Sequence, residues 1–312
     1  MPKLKLSKLF AAADKLPIFK LKLLVPVYIA IAVLFAVLIS RGDMQLLAPA
    51  GTVAVFQSKI LWAALAFVLI VGSTIVGLFF FVIFHYQEGK GKRYEPTWAT
   101  GKVVQLLAWF IPSVAIAAIS FAVWGTAHMI DPYKPLAGSK PPVTIQVVAL
   151  RWKWLFLYPN DRLATVNYVE IPINTPVNFE LTADAPMSSF WAPSLSGQMY
   201  AMPGMVTQLH IQADKVGTFP GSAAEINGDG YSGMDFTVKA VPTTDYERWK
   251  DNIRRSANTL DYTSYTQLAQ PTSYNSVAYY SMSDQNLFNE IVMQFMAPGA
   301  NQSTLQVRGA QL

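Results

Sequence analysis

FPGSAAEINGDGYSGM, residues Phe219–Met234, is bracketed by stretches that alternate apolar and polar residues. Before it, Leu209 and Ile211 alternate with Gln208, His210 and Gln212; after it, Phe236, Val238 and Ala240 alternate with Asp235, Thr237 and Lys239. Further upstream Val177, Phe179 and Leu181 alternate with Asn178, Glu180 and Thr182. Side chains on a strand point to opposite faces in turn, so this period predicts half-buried antiparallel strands. Several such strands within about 100 residues predict a sandwich or small barrel. The same alternation places His210 on the solvent face.

Outside that region the texture is different. Hydrophobic residues make up 52% of the 312 and charged ones only 14%. Soluble domains carry about 25% charged residues, so part of the chain is expected in lipid. Ile60–Phe84 and Val103–Ala127 are uncharged apolar runs, each sufficient for the roughly 17–25 residues a bilayer crossing needs. Between them lies Gln87–Lys102 with Lys90, Lys92, Arg93 and Lys102, a basic turn that belongs on the cytoplasmic side. Pro112 in the second run is tolerable in lipid, where neighbouring groups satisfy the freed backbone. Ahead of both, Lys3, Lys5, Lys8, Lys15, Lys20 and Lys22 precede an apolar run, Leu23–Ile39. Ile39-Ser40-Arg41 is a poor cleavage site, so this run reads as a retained span, with a cleaved signal as the alternative. All these charges agree on one topology, with everything after His128 outside. The formal charge of +5 follows membrane topology and does not point to nucleic acid.

The chain divides into a basic N-terminus with its first apolar segment (1–42), a transmembrane helical hairpin (43–132), an outer β domain (133–241) and a helical extension with a polar, disordered tail (242–312). Tyr133–Pro142 reads as a linker. In the extension Thr244-x-x-Glu247 reads as a capping box ahead of Tyr246, Trp249 and Ile253. Leu287, Phe288, Ile291, Val292, Phe295 and Met296 read as a second amphipathic helix. The chain has no cysteine, which rules out disulfides, thiolate ligands, a catalytic thiol and a lipid-bearing cysteine. The methionines of the outer domain (Met187, Met199, Met202, Met205, Met234) could serve Cu(I), but methionine more commonly fills irregular cores. His85 and His128 sit at span ends, where a ring can meet head groups or handle protons. Gly89-Lys90-Gly91-Lys92 lacks the spacing of a phosphate loop and reads as a solvated turn.

The opening stretch resembles the copper loop of cytochrome c oxidase subunit II, F-Y-G-Q-C-S-E-x-C-G-x-x-H-x-x-M. Phe219, Gly221, Glu225, Gly228 and Met234 fall in step. Ala223 and Asn227 stand at the cysteine positions and Tyr231 at the histidine position. Another histidine precedes W-x-x-P-S-L in copper-bearing relatives; here Ser188 takes its place before Trp191-Ala192-Pro193-Ser194-Leu195. Only Met234 and the Glu225 carbonyl remain of the ligand set. Arg151-Trp152-Lys153-Trp154-Leu155-Phe156-Leu157-Tyr158 is similar to the aromatic strand of the quinol-oxidase branch. Trp152 and Trp154 are expected to be packing residues or contacts to the catalytic subunit.

Together these pieces resemble the cytochrome o-type ubiquinol oxidase subunit II, within the haem–copper oxidase superfamily and lacking the dinuclear copper site. The resemblance implies an α + β membrane protein: N-terminal transmembrane helices, an extracytoplasmic cupredoxin-like β-sandwich and a C-terminal helical extension. It implies a structural and assembly role in a proton-pumping terminal oxidase, with no catalytic residue, cofactor or metal in this chain. Haems and one copper are expected in the partner subunit I. Further partners are subunits III and IV, membrane lipid and ubiquinol, with no cytochrome c. The location implied is the bacterial inner membrane, with the large C-terminal domain in the periplasm. The family often has a glutamate seven residues before the proline of the last span, at the mouth of a proton path; here that position is Gln105, which cannot ionise. Many relatives carry a lipidated cysteine where Gly42 stands, so no lipid anchor is expected. The competing reading is a free-standing, membrane-anchored periplasmic module for binding or copper delivery.

Overall fold

The structure is a computed structural model that describes residues 45–86, 101–138, 140–255 and 258–296, together with Val33 and Val37. The basic loop, the polar tail and, apart from those two valines, the first apolar run lie outside the described residues. By packing, the chain separates into two units at Ala48. Of the first, residues 45–47 form a short 3-10 turn. The second, from Pro49 onward, holds everything described below.

It begins with two long helices, α1 (Thr52–His85) and α2 (Lys102–Met129). Both are long and apolar enough to cross a membrane. Their large hydrophobic side chains, such as Leu69, Ile70, Phe79, Phe110 and Phe121, are exposed. In water that surface is unfavourable by about 25 cal/mol per Å²; in lipid the penalty disappears. At 34 residues α1 runs about 50 Å, well beyond a hydrocarbon core of about 30 Å. Its first turns are therefore free to join the β domain. Gly51 pairs with Ala213, and the Ser194 carbonyl accepts the N–H groups of Ala50 (2.7 Å) and Gly51 (3.1 Å). Thr52 Oγ1 donates to the Asp214 carboxylate at 3.0 Å. A Cβ on Gly51 would lie 2.5 Å from the Leu195 carbonyl oxygen, so only glycine fits this junction.

Twelve strands follow among the described residues. They are β1 (Val143–Leu150), β2 (Lys153–Tyr158), β3 (Leu163–Val166), β4 (Tyr168–Pro172), β5 (Val177–Ala183) and β6 (Ser188–Trp191). After them come β7 (Gln198–Ala201), β8 (Thr207–Ile211), β9 (Gly217–Ala223), β10 (Asp235–Val241), β11 (Thr259–Leu260) and β12 (Ala278–Met282). A seven-stranded sheet runs β11-β12-β3-β2-β1-β5-β8, and a five-stranded sheet runs β4-β10-β9-β6-β7. The expected alternation holds in β5 and β10: Val177, Phe179 and Leu181 are buried, as are Phe236, Val238 and Ala240. The all-antiparallel expectation needs correction. β1–β5, β4–β10 and β11–β12 pair in parallel.

β2 is buried on both faces. Trp154, Phe156 and Tyr158 enter the core between the sheets, with Phe190 and Phe236 opposite. Leu155 and Leu157 point the other way, into a second core with Leu260, Tyr265, Leu287 and Ile291. That second core is closed by α4 (Tyr262–Leu268) and α5 (Leu287–Met293), whereas α3 (Thr243–Arg254) packs Tyr246 and Ile253 against the first core. The C-terminal segment is more than helical, since β11 and β12 extend the larger sheet. The expected capping box at Thr244 and Glu247 does not form: α3 starts at Thr243 behind Pro242, with no side-chain cap. A capping box forms instead at α4, where Asp261 accepts from the Ser264 N–H at 2.7 Å and Ser264 Oγ accepts from the Asp261 N–H at 2.9 Å.

His210 also departs from expectation. It is 8% exposed, because Nδ1 reaches the Pro132 carbonyl at 3.0 Å and the linker after α2 folds over it. Alternation places a side chain on a face, but a neighbouring segment can cover that face.

Candidate functional site

The loop from Ala223 to Met234 joins β9 to β10 on the smaller sheet. Its two ends close on each other, with Ala223 N–H donating to the Met234 carbonyl at 3.2 Å. Ala224 N–H donates to the Ser189 carbonyl at 2.9 Å, tying the loop to β6. The residues 231–233 form a 3-10 turn. Ser188, Asn227 and Met234, distant in sequence, meet here. Asn227 Nδ2 donates to Ser188 Oγ at 2.6 Å and to Met234 Sδ at 3.2 Å. Ala223 lies beside them as a buried methyl, Tyr231 packs half-buried against the core, and Glu225 is half-buried. The amide thus joins the positions through hydrogen bonds. Asn227 Oδ1 and Ser189 Oγ are buried without a protein partner.

The two tryptophans behave differently. Trp154 is wholly buried; its indole N–H donates to the Met234 carbonyl at 3.3 Å, and its ring meets Phe190 edge-on at 5.3 Å. It is a packing residue, and the expectation that it could touch another subunit is corrected. Trp152 sits in the two-residue connection from β1 to β2 with φ 63, a conformation disfavoured for a bulky side chain. Its half-buried indole lies on the loop: a Cβ on Gly230 would come within 2.3 Å of the ring. Tyr274, from the C-terminal segment, covers Gly233, and its hydroxyl lies 2.7 Å from Ser232 Oγ. No local pattern in the sequence marks this strap. Lys153 anchors it, donating to the Gln270 carbonyl at 2.9 Å and to Thr272 Oγ1 from a buried position. Burial lowers the pKa of the Lys153 amine.

A donor set of hydroxyl, methyl, amide and phenol does not fit a mixed-valence copper pair, which needs bridging thiolates and imidazoles. The one thioether, Met234, already accepts an amide N–H. Among the described residues, no three His, Cys, Asp or Glu side chains lie close enough to hold a metal. The outer methionines differ in setting: Met234 is buried in the core, whereas Met187 and Met205 are exposed. Gln105 lies in the first turn of α2, exposed and far along the helix from the β domain.

Two family models match the chain. One, described as the cytochrome c oxidase subunit II periplasmic domain, matches residues 157–241; the other, the COX aromatic rich motif, matches 254–299. The protein from Pseudomonas putida named cytochrome bo(3) ubiquinol oxidase subunit 2 is 38% identical over 259 residues, 83% of this chain and 82% of that one. This chain belongs to the ubiquinol oxidase subunit 2 family. The cytochrome bo(3) ubiquinol oxidase subunit 2 of Buchnera aphidicola subsp. Baizongia pistaciae is 36% identical, covering 81% of this chain and 90% of that one. The ubiquinol oxidase subunit 2 of Acetobacter aceti is 35% identical, covering 83% and 85%. As an oxidase subunit II, the chain is one component of an oxidoreductase complex, membrane-anchored by apolar helices and carrying a cupredoxin-like sandwich.

Within this oxidase subunit the loop's stability rests on Asn227. Asn227→Ala removes two hydrogen bonds and is expected to cost about 1 kcal/mol. The loss should be local, so amide exchange in residues 223–234 should quicken before the global melting temperature falls. Unchanged exchange there would remove the amide from its bridging role.

A second polar cluster lies away from the loop. Glu170 on β4 is buried, accepts from the Tyr168 hydroxyl, and has the Lys239 ammonium at 3.8 Å. Burial raises its pKa, and Tyr168 and Lys239 oppose that only in part. The folded state therefore holds this proton more tightly than the unfolded chain. The favourable contribution is complete below the unfolded carboxylate range and is lost as pH rises through the folded pKa. Glu170→Gln should accordingly gain stability relative to the native protein between pH 4 and pH 8, as read by thermal melting. A gap that does not change with pH would contradict this.

Proposed function

We propose that this subunit II is a structural and assembly component of a proton-pumping terminal quinol oxidase and carries no redox step itself. In this reading α1 and α2 form a hairpin across the bacterial inner membrane and pack against subunit I, with subunits III and IV nearby. The sandwich is a copper-free cap in the periplasm, and the C-terminal helical extension is part of that cap. Ubiquinol, delivered through lipid, is the electron source. Haems and one copper in subunit I supply the oxygen chemistry. An electron donor that arrives through the membrane makes a periplasmic copper relay and a cytochrome c site unnecessary. Trp152, with part of its ring uncovered, is the aromatic left to contact subunit I. Gln105 occupies the position of the proton-uptake carboxylate without its chemistry, so protons enter through another group or a water chain.

The observation that supports this most directly is the Asn227 amide bridging Ser188 and Met234, the positions a copper pair would need. The native complex should therefore be purified in mild detergent, followed by metal analysis and optical spectroscopy. The expected result is haem and one copper per complex, turnover with ubiquinol, and no near-infrared band of a dinuclear copper centre. Two copper ions in the sandwich, or robust turnover on reduced cytochrome c alone, would overturn the reading. A monomer that purifies without a haem-bearing partner would favour the free-standing module.

A further inference from the structure

A cavity of about 220 Å³ lies where α1, the end of α2, the following linker and β8 meet. Val53 and Gln57 form one wall, the stretch from Met129 to Ala137 another, and His210 a third. Its depth along the helices follows from the chain. The apolar run of α1 begins at Ile60 and that of α2 ends near Ala127, so Val53–Gln57 stand about 5–10 Å outside the hydrocarbon edge at 1.5 Å per residue. Head groups occupy a layer of about 5–7 Å on each side of the core. Trp62 and Trp124, both exposed, mark the same boundary. The cavity is therefore at head-group level.

Its chemistry is bipolar. Asp131 and Lys134 sit on the rim, both exposed, and among the described residues neither is ion-paired. Asp131 Oδ1 accepts the Tyr133 N–H at 3.0 Å, which fixes the carboxylate in an Asx turn. His210 is more than nine-tenths buried, and its Nδ1 lies 3.0 Å from the Pro132 carbonyl. A carbonyl only accepts, so Nδ1 carries the hydrogen. The Asp131 carboxylate suits a primary ammonium, and the Lys134 ammonium suits a phosphate. The volume corresponds to roughly seven waters at about 30 Å³ each, enough for one head group.

We propose that this cavity holds the head group of an outer-leaflet phospholipid bearing a primary ammonium, of the phosphatidylethanolamine class. The choline class has no N–H to donate, and the glycerol class has no cation for Asp131. The proposal rests on the reading that α1 and α2 cross the membrane with the sandwich outside, and that reading is tested separately. The chain has no cysteine, so Ile226→Cys, at an exposed loop position, gives a clean probe for an impermeant thiol reagent in intact cells.

The oxidase complex is reconstituted in nanodiscs of phosphatidylethanolamine, phosphatidylcholine and phosphatidylglycerol in equal parts, extracted into mild detergent, and its retained lipid quantified by native mass spectrometry. Asp131→Asn keeps the Asx acceptor and Lys134→Gln alters an exposed side chain, so neither should disturb folding. At least a fivefold loss of retained phosphatidylethanolamine is expected in Asp131→Asn, a smaller loss in Lys134→Gln, and no enrichment of the choline lipid in the native complex. A photo-reactive residue at Leu136 should give a phosphatidylethanolamine adduct. Equal retention of all three lipids, unchanged retention in both variants, or a Leu136 adduct to a polypeptide would overturn the proposal. External labelling of Ile226→Cys together with any of those results overturns the cavity assignment alone; labelling only after lysis overturns the topology beneath it.

Discussion

Trp154→Ala is expected to destabilise the β domain by about 3–5 kcal/mol, the range for removing a large buried aromatic side chain. The ring is wholly buried and meets Phe190 at 5.3 Å and Phe236 at 5.7 Å, both edge-on. Phe190 and Phe236 in turn stack on each other at 4.6 Å, so the cavity would open at the centre of the aromatic cluster. The Met234 carbonyl would lose the indole N–H but keep the Ala223 N–H, so no buried acceptor is orphaned. The effect is therefore one of packing. For a domain of this size the melting temperature should fall by roughly 10 °C, at 2–4 °C per kcal/mol. Circular dichroism on the full chain in detergent reads it. Trp154→Phe keeps most of the volume and should recover more than half of the loss. A drop of under about 1 kcal/mol for the alanine variant would contradict the burial assigned to this ring.

Ile291→Asp should have an effect at least as large. Ile291 is fully buried in the second core, facing the sheet side that carries Val148, Leu150, Leu155 and Leu157. A carboxylate there has no counter-charge among these apolar neighbours, and burying it unpaired costs several kcal/mol or forces the segment to undock. Undocking would also release the strap that Lys153 holds through the Gln270 carbonyl. The expected result is rapid proteolysis beyond Arg254 and loss of assembled oxidase, with far-UV signal from the strands partly retained. Ile291→Val, by contrast, should cost about 0.5–1.5 kcal/mol and leave protease resistance intact. Full protection of the segment in the aspartate variant would mean that the second core does not hold it.

Much of this architecture is legible in local pattern. Alternation in Val177–Leu181 and Phe236–Ala240 marks strands because one face of each is buried and the other is not. Apolar runs without charge mark α1 and α2, since only lipid makes such a surface favourable. Two glycines of the Phe219–Met234 frame have a local reason: a Cβ on Gly221 would lie 2.2 Å from the Phe236 ring, and Gly228 has a φ of 128°, which a larger residue rarely adopts. Local pattern is silent where a distant segment intervenes. His210 alternates as a surface residue but is roofed by Pro132. Trp154 and Trp152 look equivalent in sequence, yet one lies inside the sandwich and the other on a turn against the loop.

By itself, then, the sequence determined the membrane helices, the β character of the outer domain and the absence of thiolate chemistry, because each depends on residue type and short-range period. Tertiary structure alone decided that Asn227 bridges Ser188 and Met234, that β12 and α5 close a second core, and that a cavity forms where α1, the end of α2 and β8 meet. Those features join groups far apart along the chain, and no local period encodes which of them will meet.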